Sequence, residues 1–491
     1  MQISRSQIPQ EILQVTDTIE KAGFEAWIVG GCVRDLFIGR KPKDWDVTTN
    51  ATPENLQGMF DNTFYTNTFG TVGIVNEEAT DESLKVVEAT PYRVEGEYSD
   101  ARRPDQVTFS PHIEDDLKRR DFTINALAFN PRNGELLDLY NGIGDIASGT
   151  VRAVGEPKER FMEDALRILR AVRLAAELDF EIEEGTERAM QESAQQLEKI
   201  SKERVRDEFV RVLNSKQPMK ALVLSQRIGI LQYMVPELEQ GIGIDQNQAH
   251  SFDVYEHNLR ALQHAADKGW GFEVRLAALL HDIGKPTARR RSEEKNDWTF
   301  HGHEVIGAKM AKKILERLKF PTETVATIQK MVRWHMFFSD PDKVTLSAVR
   351  RIIRNVGSEN IKRLIELRIC DRIGTGRPKE QPFRLRKYQS MIEQALHDPL
   401  SVTMLALNGK QLMDVTHEKP GPRIGWTLHA LLEEVLDDPT LNTQVYLAKR
   451  AGELLLLPDE ELQTLGKEGK EKKEEKEEEH SKEIRKKYFV D

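Results

Sequence analysis

Ile28-Val-Gly-Gly-Cys-Val-Arg-Asp35 is followed, nine residues beyond Asp35, by Asp44 in Lys43-Asp-Trp-Asp-Val47. The apolar run Ala26-Trp-Ile-Val29 predicts a strand that enters Gly30-Gly31 and then a helix. Paired glycines let backbone N–H groups come close to a phosphate, and a helix N-terminus favours anions. Arg34 adds a fixed cationic fork. If Lys43–Val47 is a strand, Asp44 and Asp46 share one face while Trp45 and Val47 pack the other. Two adjacent carboxylates repel and need a cation between them. Mg²⁺ takes carboxylates together with substrate phosphate oxygens, and such a pair can hold two metals, one at an attacking hydroxyl and one at a leaving pyrophosphate. A bare Asp-x-Asp is most simply a solvated turn; placed after Gly-Gly-x-Val-Arg-Asp, it points to phosphate chemistry.

Working outward, the 491 residues carry 39% hydrophobic side chains, and no apolar run approaches the ~20 residues that span a bilayer. Met1–Gln14 has no apolar core of a secretion signal. Two cysteines, Cys32 and Cys370, exclude a disulfide framework or a cysteine-built zinc site. A soluble cytoplasmic protein without membrane contact is expected. The formal charge of −10 does not advertise a polyanion binder. Screening beyond ~8 Å nonetheless makes charge a local matter, and Lys343–Lys387 holds 13 Lys/Arg against 4 Asp/Glu. That segment is the electrostatic candidate for RNA contact, with solvated helix faces as the plainer account.

The pattern along the chain predicts a multidomain α+β protein. Residues 1–150 form a head with a mixed sheet and helices, 151–240 a helical neck, 241–375 a histidine-rich helical domain, and 376–466 a further helical region. Residues 467–491, with nine basic and nine acidic side chains, are expected to be disordered or a solvated helix, disorder being the first choice.

Gly30–Gly39 followed by Asp44-Trp-Asp46 resembles the head of class II tRNA nucleotidyltransferases, the CCA-adding enzymes, whose relatives include bacterial poly(A) polymerases. The resemblance implies a small polymerase-β-like head with a two-metal site. Further matches follow in order. Glu95–Asp105 resembles the loop that reshapes the site between nucleotides, and Arg119-Arg-Asp-Phe-Thr-Ile-Asn125 the ribose and phosphate motif. Glu163-Asp-Ala-Leu-Arg167 resembles the motif that reads the incoming base, and Glu203–Glu208 the helix that braces it. Asn408-Gly-Lys410 and Gly421–Gly425 resemble parts of a C-terminal tRNA-binding region.

These residues also make chemical sense alone. Asp164 and Arg167, three apart on a predicted helix, would share a face and offer acceptors and donors to a base edge, although an ordinary helix ion pair has the same spacing. Arg120, Asp121 and Asn125 would share a helix or turn face. Arg34, Lys43 and Arg160 are candidate triphosphate contacts, and Glu88, on the strand after Lys85-Val-Val87, is a candidate third carboxylate or a plain strand-edge glutamate.

Seven of the twelve histidines lie between His250 and His335. His257, His281-Asp282 and Asp371 resemble the HD phosphohydrolase pattern, and His303 and His335 are candidates for a second ion. Imidazole with carboxylate suits a divalent transition metal and phosphoester hydrolysis. The expected function is template-independent CCA addition to tRNA from CTP and ATP, with Mg²⁺ on Asp44 and Asp46. The HD site would hydrolyse phosphoesters such as 2′,3′-cyclic phosphate at RNA ends. Enzymes adding only A or only CC, a poly(A) polymerase, and an HD phosphohydrolase with an RNA-docking head remain as alternatives. The Glu95–Asp105 loop speaks against the CC-only form.

Overall fold

A computed structural model describes residues 3–66, 69–96, 107–246, 251–294, 296–336, 344–396 and 402–490. The chain divides into two compact units, residues 1–333 with 366–378, and residues 334–365 with 379–491.

The first unit opens with a mixed sheet. Its strands are β1 (Ala26–Val29), β2 (Asp46–Thr49), β3 (Thr63–Tyr65), β4 (Val72–Val75), β5 (Val86–Pro91), β8 (Leu127–Phe129) and β9 (Leu136–Asp138); β6 (Arg93–Glu95) and β7 (Val107–Phe109) form a separate hairpin. The order is β3-β4-β5-β2-β1-β8-β9, and only β2–β5 is parallel. Alternation divides the strand residues between two faces. Ile28, Val47, Val72, Ile74, Val87 and Ala89 are buried against Ile12 and Ile19 of the helix Gln10–Lys21 and Leu56 of the helix Pro53–Met59. The opposite face buries Trp27, Val29 and Ala128 with Ile113 and Leu117, and carries Asp46 and Glu88 at its open part.

Past the head the unit is helical. In Leu166–Leu178, Leu166, Leu169, Val172 and Ala176 form a buried stripe at helical spacing. Val254–Asp267 and Phe272–Leu280 pack together, and Leu276–Leu280 is wholly buried. The last turns of Ser358–Gly374 belong to this unit as well.

In the second unit, Pro422–Asp437 packs along Asp459–Lys487, around Leu428, Leu431, Leu432, Leu447, Leu454 and Leu462. Of the two expectations for the tail, disorder or a solvated helix, residues 467–487 take the helical form, as the later part of Asp459–Lys487. Two physical causes hold it. A Cβ at Gly469 would stand 2.2 Å from the His429 carbonyl oxygen, and one at Gly466 2.7 Å from Trp426 Cα, so the glycines let two backbones touch. Lys472 Nζ then reaches Glu433 Oε1 at 3.2 Å, and Lys482 pairs with Glu478 at 3.0 Å within the helix. Gly469→Val should lower the stability of this unit by about 1–3 kcal/mol through overpacking. Urea unfolding of the full chain reads that as an earlier transition; an unchanged midpoint would show that the backbones do not meet there.

Candidate active sites

The head site grows from the register of three strands. β1 places Val29 beside Asp46, and β5 places Glu88 beside Asp46 on its other side. Residues paired in this way point to the same face. Asp44 differs from expectation: it lies in the bend before β2 rather than on the strand, so its approach to Asp46 comes from chain direction and not from the two-residue repeat. Trp45 and Val47 do pack into the core behind the site. Burial pushes the Asp46 carboxyl up to about 7, with Asp44 and Glu88 adding to the rise and Arg120 opposing it. Burial and Asp44 also raise Glu88. Asp44, Asp46 and Glu88 offer oxygen donors of the kind that a hard divalent cation such as Mg²⁺ takes.

On the other side of Asp46 stands a cationic frame. Gly30 takes φ +87°, and a Cβ there would lie 2.8 Å from Arg120 Nη1 and 3.6 Å from Asp46 Oδ2. The glycine thus makes room for a guanidinium beside the carboxylate, while Gly31 begins the helix Gly31–Phe37. Arg120 is held by the fully buried Asp116, Nη2 donating to Oδ2 at 3.1 Å. Arg34 Nη1 donates to Asn125 Oδ1 at 2.6 Å, and Asn125 Nδ2 donates to Asp121 Oδ1 at 3.1 Å. Arg170 Nε donates to Asp121 Oδ2 at 2.7 Å. Burial alone would raise the Asp121 carboxyl, but the charge of Arg170, the Asn125 amide and Arg167 hold it well below the usual carboxylate range. Arg120, Asp121 and Asn125 therefore belong to one connected array with Arg34. Lys43 is exposed on the bend before β2.

The base-reading pair departs from the sequence expectation. The helix Pro157–Glu163 stops, Asp164 adopts φ −141°, ψ 103°, and a new helix runs Leu166–Leu178. Asp164 and Arg167 thus do not share a helix face. Asp164 Oδ2 accepts from Arg204 Nη2 at 2.6 Å, and its Oδ1 accepts from the Leu166 N–H at 3.0 Å. Arg167 Nη1 donates to Glu163 Oε2 at 2.6 Å and Nη2 to the Arg119 carbonyl at 3.0 Å. Arg160 pairs with Glu163 and donates to the Lys118 carbonyl at 3.2 Å. Glu208, in the helix Lys202–Asn214, accepts from Arg173 Nε at 2.6 Å, so the Glu203–Glu208 stretch supplies both Arg204 and Glu208 as braces. Most of the Glu95–Asp105 loop lies outside the described residues. Asn408 caps the helix Gly409–Thr416, and Arg423 pairs with Asp459.

The second centre lies between helices of the same unit. His257 Nε2 and His281 Nε2 face each other at 2.9 Å. Asp282 Oδ2 lies 3.0 Å from His257 Nε2 and 3.3 Å from His281 Nε2, and Asp371 Oδ1 lies 3.5 and 3.7 Å from the same nitrogens. His281 Nδ1 donates to the Ala278 carbonyl at 2.8 Å, which leaves its Nε2 lone pair turned inward. Two nitrogens and two carboxylate oxygens, all within 4.8 Å of one another, fit a divalent transition metal. Gly374 permits the approach of Asp371: a Cβ there would stand 2.8 Å from the His257 carbonyl oxygen. His303 Nε2 lies 3.1 Å from Asp282 Oδ1, with its Nδ1 2.7 Å from the Phe300 carbonyl oxygen. His335 is buried just past the helix Thr322–Trp334, in the second compact unit.

Sequence reasoning missed several supports. Asp116 precedes Arg119 and Arg120 by three and four residues on a helix, a spacing that signals the clamp it makes. Lys285, three after Asp282, is buried with Nζ 2.5 Å from both Asp282 Oδ2 and Gln246 Oε1. Gln246 and Arg170 carried no local signal.

Comparison with known proteins now bears on this geometry. The Poly A polymerase head domain profile matches residues 26–152, that of a probable RNA and SrmB-binding site of polymerase A matches 179–242, and the HD domain matches 254–376. The CCA-adding enzyme of Lactococcus lactis subsp. lactis is 30% identical over 452 residues, 91% of this chain and 99% of that protein. This chain belongs to the CCA-adding enzyme family. A shorter match, to the CCA-adding enzyme of Leuconostoc mesenteroides, is 42% identical over 268 residues, 52% of this chain and 65% of that protein, so there the chain spans just under two thirds of its relative. The crystal structure of the Bacillus stearothermophilus CCA-adding enzyme in complex with CTP shares the fold at TM-score 0.60 and 26% identity, covering 90% of this chain and 96% of that one. Among the described residues no helix is long and apolar enough to cross a membrane.

The raised Asp46 carboxyl should make Mg²⁺ binding at this position pH-dependent. With a carboxyl moved from 3.8 to about 7, the folded protein binds a proton that the unfolded chain releases. Folding stability from this group therefore falls as pH rises from about 4 towards 7, and a cation must displace the proton below pH 7. Calorimetric titration of Mg²⁺ should show affinity about tenfold higher at pH 8 than at pH 6. Asp46→Asn should flatten that dependence; an equally steep profile in the variant would assign the proton elsewhere.

Proposed function

We propose that the head adds C, C and A, without a template, to the 3′ end of tRNA, using CTP and ATP. The observation that carries this reading is the Asp46–Glu88 pairing with Asp44 on one side and the Arg120–Arg34–Asn125 array on the other. In the reaction the terminal ribose hydroxyl forms a bond to the α-phosphorus, and the bond to pyrophosphate breaks. Mg²⁺ held by Asp44, Asp46 and Glu88 would supply Lewis-acid charge at the reacting oxygens. Arg120, fixed by Asp116, and Arg34, fixed by Asn125, set positive charge where the triphosphate must lie. Lys43 and Arg160 are further triphosphate contacts in this reading. Charges fixed beforehand need no reorganisation as the transition state forms.

Base choice is assigned to Asp164 and Arg167, the one offering acceptors and the other donors to a Watson–Crick edge. Arg204 and Glu163 hold the two side chains in place. A fixed polar edge leaves groups unpaired against uracil and so rejects it. The Lys/Arg-rich stretch of residues 343–387 is a further candidate for contact with the RNA partner. tRNA as the substrate supports a cytoplasmic location for this work.

For the second centre we infer hydrolysis of a phosphoester such as a 2′,3′-cyclic phosphate at an RNA end, which would expose the hydroxyl that the head extends. A divalent transition metal on His257, His281, Asp282 and Asp371 would supply an activated water there. Lys285 holds the Asp282 carboxylate in place.

A tRNA lacking its 3′ end, incubated with labelled CTP and then ATP, should gain C, C and A. Asp46→Asn should reduce incorporation more than about a hundredfold; undiminished incorporation would remove the carboxylate assignment. Asp164→Ala should cut the preference for CTP and ATP over UTP by at least about tenfold. For the HD centre, His281→Ala should abolish release of product from a 2′,3′-cyclic nucleotide, and a rate equal to wild type would sink that activity.

A further inference from the structure

The strand register that places Asp46 beside Glu88 continues to the edge of the sheet. Glu88 pairs with Gly73 of β4, and Gly73 pairs with Phe64 of β3. One row on one face therefore reads Phe64, Gly73, Glu88, Asp46. Phe64 is 44% exposed, on the edge strand of the face that carries the carboxylates. Its ring does not point away from them. A Cβ at Gly73 would stand 2.6 Å from Phe64 Cζ and 2.8 Å from Cε1, so the ring tip lies over the glycine, toward Glu88. With strands ~4.8 Å apart, the Cα of Phe64 stands roughly 10 Å from that of Glu88. A glycine inside a strand marks a place where something must come close, and here it lets an aromatic ring lie flat beside the metal-binding carboxylates.

The two sides of Asp46 are chemically different. Arg120, Arg34 and Asn125 stand on the β1–β8 side, where positive charge suits a triphosphate. Attacking and leaving oxygens lie roughly in line across a reacting phosphorus. Pyrophosphate departing toward the arginines thus requires the attacking hydroxyl to approach from the Glu88 side. The nucleotide that bears that hydroxyl would then lie over Gly73 and meet Phe64.

We propose that Phe64 is the stacking platform for the nucleobase at the 3′ end of the acceptor RNA. The inference rests on the nucleotidyl-transfer reading of the head and assigns the half of the site that the arginine array leaves open. A π-face accepts any base, which suits a site whose acceptor ends in a different nucleotide after each addition. The fixed polar edge at Asp164 and Arg167 discriminates among incoming nucleotides, whereas an aromatic face holds the growing end without discriminating.

The test uses the full chain and a tRNA lacking its CCA end, with 2-aminopurine as the 3′-terminal base and no nucleotide present. Wild type should quench the fluorophore. Phe64→Ala should abolish quenching and weaken RNA binding about 5- to 100-fold, the span of base–aromatic stacking. Phe64→Trp should restore both. Phe64→Leu keeps apolar cover over Gly73 but lacks a π-face, so a loss there cannot be a loss of folding. A label placed several nucleotides inward should respond alike in all four proteins. In turnover, Phe64→Ala should raise KM for the RNA and leave KM for CTP unchanged. Quenching and affinity equal to wild type in both the Ala and Leu variants would overturn the proposal. Because the fluorescence needs no chemistry, failure of the nucleotidyl-transfer reading shows separately, as a wild-type protein that binds and quenches but incorporates no CTP.

Discussion

The parallel pairing of β2 with β5 is the constraint on which the head depends. It is the one parallel contact in an otherwise antiparallel sheet, and it sets Asp46 directly beside Glu88. Burial raises the proton affinity of both carboxyls, with Asp44 adding to the rise at each and Glu88 adding to it at Asp46. The strands can hold that arrangement because their other face is a continuous apolar core, in which Val47, Val87 and Ala89 are fully buried. The fold thus stabilises, on one face, a concentration of negative charge that it places on the other. A site under such tension has its strongest interactions with whatever positive charge arrives, which is the property a two-substrate phosphoryl site requires.

The arginines solve the opposite problem. Arg34, Arg120, Arg167 and Arg170 are each tied to a particular acceptor: Asn125, Asp116, Glu163 and Asp121. A guanidinium on a free stem would lose rotamer entropy on meeting a ligand. These have already lost it in folding. The array also links head to neck, since Arg167 donates to the carbonyl of Arg119 and Arg170 to the carboxylate of Asp121. The residues proposed to read the base and those proposed to face the phosphates are therefore joined by direct hydrogen bonds.

Much of this was legible in the chain itself, for identifiable reasons. Gly30-Gly31, the Asp-x-Asp turn and His281-Asp282 are local patterns, and the strand Ala26–Val29 falls where its apolar run predicted it. What misled was also local. Glu163–Arg167 has helical periodicity on both sides, yet Asp164 leaves the helix because its carboxylate caps the following turn and pairs with Arg204, forty residues away. The tail has the composition of a disordered segment, but Gly466 and Gly469 are spaced to let it meet Trp426 and His429, and no count of charges conveys that. Asp44 obeys the alternation rule in sequence and not in space, because β2 begins only at Asp46.

The two candidate metal centres reach their ligand sets by different physics, and this accounts for how unequally they could be read. The head gathers oxygen donors from a bend and two strands that are more than forty residues apart, so Glu88 gains its meaning only from the β2–β5 register. The helical centre takes His257 and Asp371 from two helices, whose close approach Gly374 permits, and His281 and Asp282 from the turn that follows a third. There the hydrogen bond from His281 Nδ1 to the Ala278 carbonyl, made within a single turn, already turns Nε2 inward before any partner helix arrives. Orientation is thus built into the local chain at the histidine site and imposed by tertiary pairing at the carboxylate site. A hard cation with flexible oxygen donors tolerates assembly by register, whereas imidazole, with one directed lone pair, needs its tautomer and angle settled by the backbone beside it.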